Sequence, residues 1–410
     1  MNIRRSAAAL AAVAVIGAAA APVAHAADPS PSPSLPSALY GTADPTYDGV
    51  WRQSLALLAQ DTAGVTPAAE AVAWLAAQQC DSGAFAPFRA DPGQPCDAGT
   101  AVDTNQTAAA VQAMAALGGH QAVTGKAVTW LRSAQNEDGG WGYTLGSPSD
   151  ANSTSVVIGA LAAVGEKPEQ VEKGGKSPYD ALLALSIPCG EDGGGAFAYQ
   201  PDKKGKLVAN ADATAAAVVG ALGKGLTGAD PKPGGTEPTC AKATGAGQAA
   251  RNGAAHLVDA LGEDGHLMSA LPGAEDQPDY GNTADAALAL ATAGHADLAA
   301  PALRWLGDHY QGWAKQSGPA AYAQLILAAD AAGFDVRDFD GSGDDLVKRL
   351  NATGPAPESA ESGAEKAAQE EAEKDDDSGF GVLWTVGVFL VAGIGIGFLI
   401  SGRKKGPSQP

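Results

Sequence analysis

Four stretches of this chain share one layout: a short polar cluster, then an almost unbroken run of Ala, Val and Leu, then a glycine. They end at Gly118, Gly165, Gly225 and Gly294. Aligned on that glycine, Thr107, Thr154, Thr214 and Thr283 fall in one column, and Asp103, Asp150, Asn210 and Asp279 in another. A degenerate fifth copy closes at Gly333. Each copy predicts a helix. The Asp/Asn/Thr cluster offers acceptors to the orphan amides of a first turn, and the terminal glycine supplies the left-handed stop. The bodies are apolar around most of their circumference, so these helices must be buried on more than one side. Alanine is a strong helix former and a weak strand former, which argues against strands.

Between the copies the pattern changes. Ala68–Gln79, Gly125–Gln135, Pro178–Ile187, Gln248–Leu261 and Pro301–Tyr310 mix apolar with charged residues, as one-sided surface helices do. The first four run into glycine turns, Asp81-Ser82-Gly83, Asp138-Gly139-Gly140, Asp192-Gly193-Gly194 and Asp264-Gly265. Pro301–Tyr310 ends instead in Gln311-Gly312-Trp313. Inner apolar and outer amphipathic helices therefore alternate with a spacing of about 47 residues, the period of stacked supersecondary units. The segment Val50 to Gln60 reads as an inner helix with nothing before it, and Asp344 to Leu350 begins a hairpin that stops. Two half-hairpins complete each other if the chain closes on itself. The expected fold is all-α: an α/α toroid of five to six hairpins over residues 49–353.

The ends carry different patterns. Arg4 and Arg5, the apolar run from Ala7 to Ala21 and Ala24-His25-Ala26 make up a secretory signal over residues 1–26. A Pro/Ser-rich linker over 27–48 comes next. Residues 354–379 are rich in Glu, Ala, Asp and Pro and cannot bury a core. Phe380 to Ile400 carries no charge and would be a helix of roughly 31 Å, long enough to span a bilayer. Arg403, Lys404 and Lys405 then mark a short cytoplasmic tail, 401–410. No Leu-Pro-x-Thr-Gly sorting pentapeptide occurs, which favours a membrane anchor over a wall link. The expectation is a single-pass protein of the cell membrane with its toroid outside.

Asp and Glu outnumber Lys and Arg by 46 to 26, for a net charge of −20, which leaves no positive field for nucleic acid. The four cysteines, Cys80, Cys96, Cys189 and Cys240, suit disulfides outside the cytoplasm. Of three pairings, Cys80–Cys96 and Cys189–Cys240 are favoured, because each closes one loop between neighbouring helices. No Cys-x-x-Cys and no nearby histidine supports zinc.

Trp130-Leu131 followed by Gln135-Asn136-Glu137-Asp138-Gly139-Gly140-Trp141 resembles the glutamine-tryptophan repeat of the prenyltransferase/squalene-oxidase (terpenoid cyclase) superfamily. The weaker turns at Asp81, Asp192 and Asp264 fall at the same place in their hairpins. The resemblance covers roughly Val50 to Thr353 and implies an α/α toroid whose inner helices line a central cavity. Cobalamin carriers of the intrinsic factor and transcobalamin type, and complement thioester domains, share that ring, so fold alone chooses no activity. The chain departs from the cyclases, having no Asp-x-Asp-Asp and only 6% aromatic residues to stabilise carbocations. It lacks the Asp/Cys/His zinc set of the prenyltransferases at matching positions. Cys189-Gly190-Glu191-Asp192 is similar to a thioester motif, but Asp192 stands where a glutamine carboxamide is required.

If the inner helices run the same way, their first turns converge on one mouth. Asp103, Asn105, Asp150, Asn152, Asn210, Asp212, Asp279 and Asn282 would then form a polar rim above apolar walls, the layout of a ligand pocket. Trp141 and Tyr143, in the turn of the glutamine-tryptophan motif, join them as candidate ligand contacts. Helix capping is the competing account of the rim. Asp338 to Arg349 starts like a calcium loop but has Arg349 where a bidentate glutamate is needed. His266 and His309 sit beside turns, where either could ligate or act as a base. The expected function is non-catalytic binding of a small amphipathic ligand, with no cofactor. The resemblance makes a corrinoid the leading ligand, and a membrane transporter is the partner such a receptor would serve. The alternatives are a cyclase-like enzyme acting outside the membrane and a protein-interaction adaptor.

Overall fold

The computed structural model describes residues 35–231, 236–269 and 277–358. The chain divides into two compact units, residues 1–36 and 37–410. Of the first, only Leu35 and Pro36 are described; every described helix belongs to the second. The expected signal over 1–26 and membrane helix over 380–400 lie outside the described residues. Among the described helices none is long and apolar enough to cross a membrane.

In chain order the described α-helices are α1 (Gly49–Thr62), α2 (Ala69–Ala77), α3 (Thr104–Leu117), α4 (Gln121–Ala134), α5 (Ala151–Ala163), α6 (Pro178–Leu185), α7 (Ala211–Ala221), α8 (Ala246–Leu261), α9 (Tyr280–Thr292), α10 (Ala296–His309), α11 (Gln311–Ser317), α12 (Pro319–Ala331) and α13 (Leu346–Asn351). Six of them form a closed inner ring. Helix α1 packs on α3, α3 on α5, α5 on α7, α7 on α9, α9 on α12, and α12 returns to α1. Their bodies are the alanine-rich runs, whose small side chains let neighbouring helices approach closely and bury almost completely. Helices α2, α4, α6, α8, α10 and α13 lie outside, each packed mainly on the inner helix before it. The architecture is therefore an α/α toroid of six hairpins.

The threonine column explains how the hairpins hold together. Thr107, Thr154, Thr214 and Thr283 each accept, through Oγ1, the backbone N–H of the large apolar residue after a glycine turn. These residues are Phe85 (2.9 Å), Trp141 (3.1 Å), Phe197 (2.9 Å) and Leu267 (3.0 Å). One hydroxyl thus ties the turn after an outer helix to the start of the next inner one. The turns themselves require glycine. Gly83 and Gly139 have φ of +95° and +87°, and a Cβ there would lie 2.2 Å from the Lys126 carbonyl oxygen and 2.3 Å from that of Ser177. Gln135 donates to the Gly139 and Val171 carbonyls at 2.9 and 3.0 Å, and the Trp141 indole N–H donates to the Leu131 carbonyl at 2.7 Å. Trp141 is fully buried.

The ring closes through a seam between distant parts of the chain. The Tyr40 hydroxyl donates to Gln60 (3.0 Å) and to the Pro355 carbonyl (3.2 Å), Gly41 N–H donates to the Thr353 carbonyl (2.8 Å), and Gln60 donates to Asn351 (2.7 Å). Leu39 and Tyr40, from the segment read as linker 27–48, are buried in this seam. Both favoured disulfides are present, Cys80–Cys96 and Cys189–Cys240.

Two elements differ from the sequence pattern. Helix α10 begins at Ala296, so Pro301 lies inside it rather than at its start. The carbonyl that loses its partner belongs to exposed Asp297, where water can satisfy it. Where a turn was expected, Gln311–Ser317 forms the short helix α11.

Candidate functional site

The inner helices run the same way, with their N-termini at one mouth of the ring. Inside lies a cavity of about 310 Å³. Five of the six inner helices bring apolar residues to its wall, Leu55, Val156, Val219, Leu288 and Leu327 among them, with Trp51 nearer the mouth. The polar residues are few: Asn105, Asn152, Ser155, Asp212, Lys224, Asp285 and Gln324. Across the middle of the ring runs the turn Lys224-Gly225-Leu226, which comes after α7 and closes the cavity from below. Leu226 N–H donates to Gln112 Oε1 (2.8 Å), and Gln112 Nε2 donates in turn to the Val156 carbonyl (3.0 Å). Gly159 allows this approach, since a Cβ there would sit 2.6 Å from the Gly225 Cα.

The mouth is knitted across helices. Asn152 on α5 donates its amide N–H to Asp212 on α7 at 2.5 Å. Gln324 on α12 donates to the Gly281 carbonyl (3.1 Å) and to Asp285 Oδ1 on α9 (2.6 Å). Burial, and then the neighbouring charge of Asp212, pushes Asp285 up to about 7, against the lowering effect of the Gln324 hydrogen bond. Burial also raises Asp212, opposed by the Asn152 hydrogen bond and reinforced by the charge of Asp279. Two carboxyl groups that influence each other thus face one small, largely apolar space. Three polar atoms at the same wall are buried without a hydrogen-bond partner: Asn105 Oδ1, Asn152 Oδ1 and Ser155 Oγ.

The rim residues expected from the sequence separate into two sets. Asn105, Asn152 and Asp212 line the cavity. Asp103, Asp150, Asn210 and Asp279 are instead N-caps whose side chains accept the amide N–H of Gln106, Ser153, Ala213 and Asn282. Asn282 turns its own amide to Asp279 Oδ2 (2.7 Å). Trp141 is sealed in the wall of the toroid, and Tyr143 is 45% exposed in a separate surface groove with Asp103. The calcium-loop carboxylates already have partners within the protein. Asp338 accepts from Gly343 N–H, Asp340 from Ser342, and Asp344 from the Tyr310 hydroxyl and Arg349. Among the described residues no three His, Cys, Asp or Glu side chains gather as a metal set. His266 and His309 both stack on Trp305, with ring centroids 4.2 and 4.9 Å from the indole.

Asp285, Ser155 and Gln324 were missed by sequence reasoning, which stopped at the first turn. The signal lies one turn further on. Counting two residues past each cap gives Asn105, Asn152, Asp212 and Gly281, the cavity-facing column. A helical turn later the siblings are Ala109, Val156 and Ala216, and in their company Asp285 is the one charge.

No family model and no curated protein matches the chain. Among solved structures, ent-copalyl diphosphate synthase from Streptomyces platensis is similar at 18% identity with a TM-score of 0.44, over 72% of this chain and 50% of that one. This chain therefore spans about half the length of the synthase. A protein from Actinoplanes is similar at 15% identity with a TM-score of 0.32, over 68% of this chain and 99% of its own.

Proposed function

We propose that this protein holds a small amphipathic molecule in the centre of its helical ring, as a membrane-anchored receptor outside the cell. The observation that carries the reading is the cavity itself. It is apolar along its depth, polar at one mouth and closed at the other end. A volume of about 310 Å³ suits a molecule at the small end of the usual range for ligand pockets. A corrinoid is larger than that and would have to lie across the mouth instead of entering. Two disulfides, the expected signal at 1–26 and the expected anchor at 380–400 support a place on the outer face of the membrane. A transporter in the same membrane is the partner such a receptor would feed.

Native mass spectrometry tests the reading. The purified full chain, exposed to a metabolite extract, is expected to retain a small molecule that Ala216→Phe, which fills the cavity, no longer retains. Equal retention by both proteins, or by neither, would count against it.

A second reading rests on Asp285. A carboxylic acid that keeps its proton up to about 7 above apolar walls could deliver that proton to a substrate, as a general acid does. Conversion of a retained molecule over time, abolished in Asp285→Asn, would favour an enzyme over a receptor.

A further inference from the structure

The cavity's polar groups differ in what they have left to offer. The side-chain amide donors that bond across the mouth, Asn152 Nδ2 and Gln324 Nε2, are committed to Asp212 Oδ2 and Asp285 Oδ1. What remains to face the cavity is the carboxyl groups of Asp212 and Asp285, since Asn105 Oδ1 and Asn152 Oδ1 are buried within the wall. Ser155 also lines the cavity, but its Oγ is turned into the contact between α5 and α7, 2.7 Å from where a Cβ on Gly220 would lie.

Charge points the same way. Asp212 and Asp285 face the cavity with Asp279 behind them, and none of the three forms an ion pair among the described residues. Of the remaining elements, α1, α3, α5 and α12 bring no charged side chain to the lining. Lys224, on the closing turn, brings the one cation, and it makes no ion pair with these carboxylates. Trp51 adds an aromatic surface, which attracts cations through its ring face. Among the described residues no three potential metal ligands gather, so a bound metal ion does not answer this demand.

Building on the cavity as a binding site, we infer that its ligand is an organic cation: an ammonium head held between Asp212 and Asp285, with an apolar body reaching down toward Leu226. An ammonium supplies three donors and no acceptor, which complements two carboxyl groups. It also relieves the repulsion between the two carboxylates.

The test uses three probes of one shape, hexylamine, hexanol and hexanoate, titrated calorimetrically into the full chain at pH 8. Hexylamine is expected to bind at least about tenfold more tightly than hexanol, the worth of one charge-assisted hydrogen bond over a neutral one. Hexanoate is expected to be the weakest. Asp285→Asn and Asp212→Asn should each cost the amine about tenfold and leave hexanol within about twofold. Should either variant fail to fold, the unmodified protein gives an independent reading. Its affinity for hexylamine is expected to rise between pH 6 and 8, as Asp285 loses its proton, while hexanol stays level. If hexanol binds as well as hexylamine, with both lost in Ala216→Phe, the cation is refuted and the cavity site survives. If none of the three binds, or Ala216→Phe changes nothing, the cavity reading falls as well.

Discussion

Two sets of acidic residues sit within two helical turns of each other in this ring and behave oppositely. Asp150 caps α5, is 1% exposed, and accepts from both the amide and the hydroxyl of Ser153, at 2.7 and 2.9 Å. Asp285, on the cavity side of α9, has one oxygen engaged by Gln324 and borders the cavity. Residue type is the same in both places, and so is proximity to the mouth. The difference is whether the surroundings complete the hydrogen bonding. A satisfied carboxylate holds a helix end in place, whereas an incompletely satisfied one needs a partner from outside.

The contrast can be broken most forcefully from the structural side. Trp141→Ala would remove a fully buried indole and its hydrogen bond to Leu131, a loss of about 3–5 kcal/mol in urea unfolding. Ligand affinity measured on the folded fraction should not change, because Trp141 does not border the cavity. A change in affinity without a loss of stability would place Trp141 in the site after all. Asp150→Ala should cost less, about 1–2 kcal/mol, by leaving the Ser153 amide without its cap. Asp285→Asn, by contrast, should not lower stability to unfolding at pH 5, where the unfolded chain already ionises Asp285 and the folded protein does not. A loss there equal to that of Asp150→Ala would erase the distinction between the two sets.

The architecture was legible because it repeats. Thr107, Thr154, Thr214 and Thr283 stand in one column since each performs the same bond to a glycine turn, and repetition exposes such positions without any structure. The closed ring could likewise be read from the unpartnered segments at Val50–Gln60 and Asp344–Leu350. The cavity was legible only in part. Asn105, Asn152 and Asp212 were found because they lie beside the caps, and Asp103, Asp150, Asn210 and Asp279 were carried along with them for the same reason. Which side of a helix points inward depends on where its neighbours pack, and a polar cluster in the first turn does not reveal that. Asp285 sits where α3, α5 and α7 have Ala109, Val156 and Ala216, so its signal is a departure from the repeat. Trp141 misleads in the opposite direction. A tryptophan beside a glycine turn suggests a binding surface, yet burial of the large ring is what holds the turn against α4.

The finest separation between the two sets is in their response to pH. Burial pushes Asp103, a cap, up to about 6, and pushes Asp285 up to about 7. In an unfolded chain both would titrate near about 3.9. Between that value and its own folded value, each residue binds a proton in the folded state that the unfolded chain has released. Its contribution to stability is therefore fullest below about pH 4 and drains away as pH rises through the folded value. The melting temperature of the unmodified protein should accordingly carry a downward slope from pH 5 to 8 to which both residues contribute. Asp103→Asn keeps the cap, as Asn210 shows asparagine can, and should flatten the part of the slope that ends near about pH 6. Asp285→Asn should flatten the part that extends to about pH 7, and at pH 8 should melt no lower than the unmodified protein. Ligand addition sharpens the assignment. A bound ammonium favours the ionised form of Asp285 and should shift only the upper segment, leaving the Asp103 segment where it was. A ligand that shifted both equally would mean that the cap and the cavity respond as one site, and the division between them would fail.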